Sequence, residues 1–190
     1  MKQFYEQIFG TPIWVIKECD SKITHDMYDW AIDLQTKDKG IKVSNRGGYH
    51  SHYYNKFEDI LHLDYLQSKL NFLPPFWFCD WWINIQNKGD YTQIHTHPLS
   101  DLSVIWYFTH NDNSLIFSDP IKEHMRINLY NAFKKANHRH FQRDEFSYNW
   151  KWELDAGDII VFPSDMSHHT EPYTGNTPRI CLSANIRMKY

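Results

Sequence analysis

Two histidines separated by one residue, His95 and His97, are followed seventy-one residues after His97 by His168 and eleven residues later by Arg179. On an extended segment alternate side chains project to one side, so both members of the His-x-His pair can reach a single metal ion. The pair comes after the strand-like run Trp81 to Asn87 and a glycine turn at Gly89; His168 follows Gly157-Asp-Ile-Ile-Val-Phe-Pro163, a strand that turns at a proline. Three neutral imidazoles suit zinc, iron, copper or nickel, and suit calcium or magnesium poorly. Three protein ligands also leave coordination positions open, as a catalytic metal requires. His168 and His169 point opposite ways if extended, so one of them is the ligand, and the spacing from Pro163 favours His168.

Arg179 opens the last strand-like run, Arg-Ile-Cys-Leu-Ser-Ala-Asn-Ile-Arg. Alternation puts Arg179, Cys181, Ser183 and Asn185 on one face and Ile180, Leu182, Ala184 and Ile186 on the other. A small polar face headed by an arginine makes a poor dry core and a good pocket wall for a carboxylate, which a guanidinium grips with two parallel hydrogen bonds. Ser103, Ile105 and Tyr107 share a face of their own strand, where the Tyr107 hydroxyl is available to the same carboxylate. Asn84 lies on the polar side of Trp81–Asn87, a weaker candidate.

The elements that must hold these residues are legible in outline. Thr11–Ile16 reads as a first strand. Ser21–Lys37 reads as a helix, because Ile23, Met27, Trp30, Ala31 and Leu34 form one apolar stripe. A second amphipathic helix is expected over Phe57 to Asn71, ended by Pro74-Pro75. Between them Gly47-Gly48 marks a loop. Six short aromatic and β-branched runs follow: Trp81–Asn87, Leu102–Thr109, Ser114–Phe117, Lys151–Leu154, Asp158–Phe162 and Arg179–Arg187. Helices followed by many short strands predict a mainly β, α+β protein built on a sandwich or barrel. The stretch 121–149, with Lys134, Lys135, Arg139 and Arg143, reads as an insertion or lid whose charge weakly favours an anionic substrate.

Composition sets the outer limits. At 190 residues without repeats or low-complexity stretches, one domain spanning 1–190 is expected. An aromatic content of 17% argues for a packed interior, and a net charge of −3 points to neither a nucleic-acid nor an anionic-membrane binder. There is no apolar run long enough to span a bilayer, and Met1-Lys-Gln-Phe-Tyr-Glu lacks the apolar core expected of a signal peptide. Cys19, Cys79 and Cys181 lack CxxC spacing and read as reduced thiols of a cytoplasmic protein. Oligomeric state is not legible.

Taken together, Ile8-Phe-Gly-Thr-Pro-Ile, Ser44-Asn-Arg-Gly-Gly-Tyr-His-Ser, Trp82-Ile-Asn84, His95-Thr-His97-Pro98 with Leu102-Ser103 and Tyr107, Phe117-Ser-Asp119-Pro120, Pro163-Ser164 with His168, and Arg179 through Asn185 resemble the 2-oxoglutarate- and Fe(II)-dependent oxygenases. The nearest likeness is to an oxygenase family with a His-x-His-Pro pair and a Pro-Ser-x-x-x-His element. The resemblance implies a double-stranded β-helix (jelly-roll) with the N-terminal helices packed on its major sheet. It implies Fe(II) on His95, His97 and His168, and the distal carboxylate of 2-oxoglutarate on Arg179, helped by Ser183 or Tyr107. The implied reaction is hydroxylation of a substrate C–H by O2, with oxidative decarboxylation of 2-oxoglutarate to succinate. His97 stands where the wider superfamily carries a carboxylate, which leaves the site one unit more positive.

Two other readings stay open at this level. Gly89, His95, His97 and Asp101, then Gly157, Pro163 and His168, also match the spacing of the cupins, in which Asp101 becomes a fourth ligand and 2-oxoglutarate has no part. A non-catalytic jelly-roll using a structural metal to recognise a sugar or a protein is the third. Arg179 has no role in the cupin scheme, which favours the oxygenase. None of the three identifies the primary substrate.

Overall fold

The computed structural model describes residues 11–17, 20–118 and 149–189. The suspected insertion at 121–149 therefore lies outside the described residues except for Asn149, as do Cys19, Asp119 and Pro120.

After a short edge strand β1 (Trp14–Ile16) comes helix α1 (Ser21–Lys37), with the bounds that its apolar stripe predicts. Asp20 caps it, its carboxylate accepting from the backbone N–H groups of Lys22 and Ile23 at 2.8 and 3.2 Å. Such a cap satisfies donors that the first helical turn leaves open. Met27 and Ala31 are fully buried, while Ile23, Trp30 and Leu34 pack against the same core.

The helix expected over Phe57–Asn71 is broken in two. A 3₁₀ turn (Phe57–Asp59) is followed by the short α2 (Leu63–Lys69). The cause is His62, whose φ of +57° interrupts the helical ladder. A left-handed histidine is uncommon, and here it is tied down by its Nε2 contact, 3.0 Å from the Asp26 carboxylate on α1. The break sends Ile60 into the core while Leu61 is turned outward.

The strands form one six-stranded and one three-stranded antiparallel sheet, facing each other as in a jelly-roll. With β2 (Asn45–Arg46), β3 (Tyr49–His50), β4 (Phe76–Gln86), β5 (Tyr91–Thr92), β6 (Leu102–Tyr107), β7 (Asn111–Ser118), β8 (Asn149–Leu154), β9 (Ile159–Pro163), β10 (Ser167–Thr170) and β11 (Arg179–Met188), the major sheet runs β1-β9-β6-β11-β4-β3. The minor sheet runs β10-β7-β8, and β2 pairs with β5. β4 begins five residues earlier than the sequence predicts, where Phe78 stacks on Phe57 and Phe76 meets Phe78 edge-on.

Both faces of the major sheet are covered. On its outer face Ile180, Leu182, Ala184 and Ile186 of β11 join Val104, Trp106, Met27, Ala31, Leu66 and Leu70 in one cluster. The N-terminal helices thus lie on the major sheet, as the resemblance implies. A second cluster, including Ile105, Leu115, Phe117, Ile160 and Phe162, fills the space between the sheets. Each large apolar side chain fully buried this way contributes roughly 1.5–3 kcal/mol. Because the intersheet cluster occupies only part of that space, the remaining stretch of β4 and β11 can face a cavity. Among the described residues, no helix is long and apolar enough to cross a membrane.

Candidate metal centre

The cavity opens between the two sheets. It holds about 360 Å³ and is walled by alternating residues of β4 (Asp80, Trp82, Asn84, Gln86) and β11 (Arg179, Cys181, Ser183, Asn185). These are the polar positions left over when the opposite faces of both strands go to the helix-side core. The volume falls within the range of small-molecule sites.

At one end of this cavity three histidines converge. The ligand nitrogens of His95, His97 and His168 lie within 4.8 Å of one another, and no other His, Cys, Asp or Glu among the described residues joins them. Their ring centroids are 4.3 to 5.0 Å apart. Backbone pairing sets the spacing. His95 and His168 form an isolated β-bridge, and the His97 N–H donates to the Ser164 carbonyl at 2.8 Å.

Hydrogen bonds decide which nitrogen of each ring faces inward. His95 Nδ1 lies 2.8 Å from the Gln93 carbonyl and His168 Nδ1 lies 2.9 Å from the Met166 carbonyl. A carbonyl only accepts, so both rings carry their proton on Nδ1 and leave Nε2 with its lone pair. His97 Nδ1 meets Asn185 Oδ1 and Ser103 Oγ, each at 2.8 Å. Burial lowers the pKa of all three rings, with His97 pushed down to about 4 and His168 well below its ordinary value; the neighbouring rings push His97 and His168 the same way. Three neutral imidazoles with inward lone pairs fit a divalent transition metal.

The surroundings are apolar. Phe162 meets His168 edge-on at 4.8 Å and Trp82 meets His97 edge-on at 5.3 Å. Trp82 is itself stacked on His50, whose own pKa burial lowers. His169 stays outside the triad, and its buried Nδ1 has no hydrogen-bond partner among the described residues. Asp101 is likewise elsewhere: its carboxylate accepts from the Met188 N–H at 2.8 Å, at the far end of β11. Leu99, at φ +75°, turns the chain between His97 and Asp101. The four-ligand arrangement expected of a cupin is therefore not formed.

The opposite end of the cavity belongs to Arg179, which is 2% exposed. Gln86 Oε1 accepts from Arg179 Nε at 2.8 Å and from Nη2, while Gln86 Nε2 donates to Thr92 Oγ1 at 2.9 Å. The guanidinium carbon lies 5.2 Å from the centre of the Tyr173 ring. Burial lowers the Arg179 pKa. Ser183 Oγ accepts from Asn84 Nδ2 at 3.2 Å. Tyr107 lines the same cavity, its phenol pushed up by burial; burial also raises the Cys181 thiol, to about 11.

Sequence reasoning missed Gln86, Asp80, Trp82 and His50. The signal for the first two was present: Asp80, Asn84 and Gln86 recur at even spacing in an otherwise aromatic and aliphatic strand.

Residues 80–185 match the family described as "Putative 2OG-Fe(II) oxygenase", a span that covers the His-x-His pair, His168 and Arg179. The chain belongs to this family. The oxygenase is therefore Fe(II)- and 2-oxoglutarate-dependent, with O2 as the second co-substrate. Its fold is shared with a prolyl-4-hydroxylase from Pseudomonas putida (TM-score 0.60, 13% identity, 95% of this chain and 94% of that one). It is shared also with HygX from Streptomyces hygroscopicus, solved with nickel and 2-oxoglutarate bound (TM-score 0.63, 12% identity, 95% and 84%). A third likeness is to SnoN, a non-heme alpha-ketoglutarate-dependent epimerase of nogalamycin biosynthesis (TM-score 0.66, 12% identity, 94% and 79%). At these identities the likeness is one of fold. No curated protein matches the oxygenase.

Proposed function

We propose that the oxygenase holds Fe(II) on the Nε2 atoms of His95, His97 and His168, and 2-oxoglutarate between that metal and Arg179, in one jelly-roll domain. The observation that carries this reading is the convergence of three neutral imidazoles whose Nδ1 atoms are engaged behind them. When bound, the metal and the keto acid supply the oxidising chemistry, in which O2 is consumed, 2-oxoglutarate becomes succinate and CO2, and one oxygen atom enters a substrate C–H bond.

The chain's own residues do the remaining work. Arg179 receives the distal carboxylate of 2-oxoglutarate, and Gln86 fixes the plane of its guanidinium by taking the Nε/Nη2 edge. Ser183 and Tyr107 offer hydroxyls to the same carboxylate from β11 and β6. Trp82, Phe117 and Phe162 keep the metal side of the cavity dry, which strengthens every charged contact inside it. Three neutral rings would hold the metal while leaving it open to the keto acid and O2.

The test is an anaerobic titration of the metal-free protein with Fe(II) and then 2-oxoglutarate. One Fe(II) per chain, followed by a visible charge-transfer band on addition of the keto acid, is the expected outcome. Fe(II) binding without the band would remove 2-oxoglutarate from the site, and absence of metal binding would remove the triad.

A further inference from the structure

The three-histidine set raises a question that its own atoms do not answer. Without a carboxylate on the metal, nothing in the triad offsets the charge of a divalent ion. A carboxylate does stand one hydrogen bond behind it. Asn185 Oδ1 lies 2.8 Å from His97 Nδ1, and Asn185 Nδ2 donates to Asp80 Oδ1 at 2.7 Å. Asp80 and Asn185 are direct partners across the β4–β11 ladder, immediately before the register shift that follows Asn185. Directly opposed residues bring their Cβ atoms within about 5 Å, which is why two short side chains can meet.

We propose that Asp80 is a positioning residue for the metal centre: through Asn185 it fixes His97 as the Nδ1–H tautomer and supplies the outer negative charge that the ligand set lacks. This rests on the assignment of the triad as the Fe(II) site. An ionised carboxylate accepts and never donates, so the Asn185 amide must turn its NH₂ to Asp80. Its carbonyl then faces His97, which must answer with an N–H. The proton sits on Nδ1 and the Nε2 lone pair points into the triad.

Ser103 cannot do this. Its hydroxyl lies within reach of His97, Asn185 Oδ1 and Ser164, at 2.8, 3.1 and 2.9 Å, and a hydroxyl both donates and accepts. It follows whichever tautomer the rest imposes. For His95 and His168 the backbone carbonyls of Gln93 and Met166 already do the job. His97 alone depends on a side-chain amide, whose orientation is reversible unless something behind it is not.

The charge balance agrees. Asp80 is a half-buried carboxylate with which no Lys or Arg among the described residues pairs. With Asp80 counted, Fe(II), the 2-oxoglutarate dianion, the Arg179 cation and the Asp80 anion sum to neutrality. The same sum results where a carboxylate binds the metal directly. Here the anion has moved outward by one amide.

Two measurements on the full chain test this. In metal-free protein, ¹⁵N NMR of the histidine rings should show His97 as the Nδ1–H tautomer. In Asp80→Asn a substantial Nε2–H population should appear, with the His95 and His168 rings unchanged as an internal control of folding. A His97 tautomer unaffected by Asp80→Asn would overturn the proposal. Fe(II) affinity, measured anaerobically against a competing chelator, should fall about 10- to 100-fold in Asp80→Asn. In an Asn185→Ala background the same change should add little, because the connection is already cut. Equal losses in both backgrounds would mean that Asp80 acts through space, which overturns the relay. If the wild-type protein takes up no Fe(II), the site assignment itself fails, and the tautomer comparison then decides the relay alone.

Discussion

His95 and His168, seventy-three residues apart in the chain, each donate their backbone N–H to the other's carbonyl, both at 3.0 Å. The two rings therefore do not depend on a metal to bring them together. The His97 N–H bond to the Ser164 carbonyl fastens the third ring to the same opposing segment. For the metal site proposed above, preorganisation of this kind would lower the entropic cost of binding, since the three rings are already ordered.

Removing a ring should therefore abolish metal binding without unfolding the protein. His95→Ala and His168→Ala are expected to lose stoichiometric Fe(II) and all turnover while keeping the wild-type far-ultraviolet circular dichroism. His169→Ala should retain the metal. Loss of iron in His169→Ala alone would mean that the neighbouring ring is the ligand.

Arg179→Ala should leave Fe(II) binding intact and weaken 2-oxoglutarate by about two to three orders of magnitude, the loss expected when a buried charged hydrogen-bonding partner is removed (roughly 3–5 kcal/mol). Gln86→Leu should weaken it less, because the guanidinium remains but loses the amide that sets its plane. Calorimetric titration of 2-oxoglutarate into the metal-loaded variants reads both. A co-substrate affinity unchanged in Arg179→Ala would place the keto acid elsewhere.

The buried histidines make the metal-free protein acid-sensitive. His97 has an ordinary value of 6.5 and is pushed by burial to about 4 in the folded state. Between those values the unfolded chain binds a proton that the folded chain refuses, so stability is fully present above the upper value and declines as pH falls towards the lower. His95 and His168 shift in the same direction and add to the slope. Melting temperatures of metal-free protein should fall steadily across this window, and a flat profile would contradict burial of neutral rings.

The loop at Gly47 offers a test of backbone requirement. Gly47 sits at φ +70°, and a Cβ there would lie 1.9 Å from Asp90 Oδ1. Gly47→Ala should therefore cost about 1–3 kcal/mol in urea unfolding. Gly89, at φ +92°, has nothing within 4 Å of an added Cβ. Gly89→Ala should lose only the conformational part and be the milder of the two.

How much of this was written in the letters differs from element to element. Helix α1 was legible to the residue, because its stripe and its Asp20 cap are local. The faces of β11 were legible too, since alternation is a property of the strand alone. The break at His62 was not: no glycine or proline marks it, and what holds it there is Asp26 on another helix. Arg179 announced itself by type and position; Gln86 carried only the signal of its strand face, and its partnership with Arg179 arises only when β4 and β11 are laid side by side. Asp80 and Asn185 are the clearest case. Alternation gives each its strand face, but their pairing follows from a cross-strand register that no single segment encodes.

The central place of β11 also governs how this protein can change over evolutionary time. Its odd-numbered residues from Arg179 to Asn185 furnish the cavity, and its even-numbered ones from Ile180 to Ile186 furnish the interior beneath the helices. Exchanging Ser183 or Cys181 for another small residue can reshape what is accommodated while the interior stays as it was. Inserting or deleting one residue would swap the two sets wholesale. Specificity can drift by replacement along this strand, whereas its length is held by chemistry and folding together.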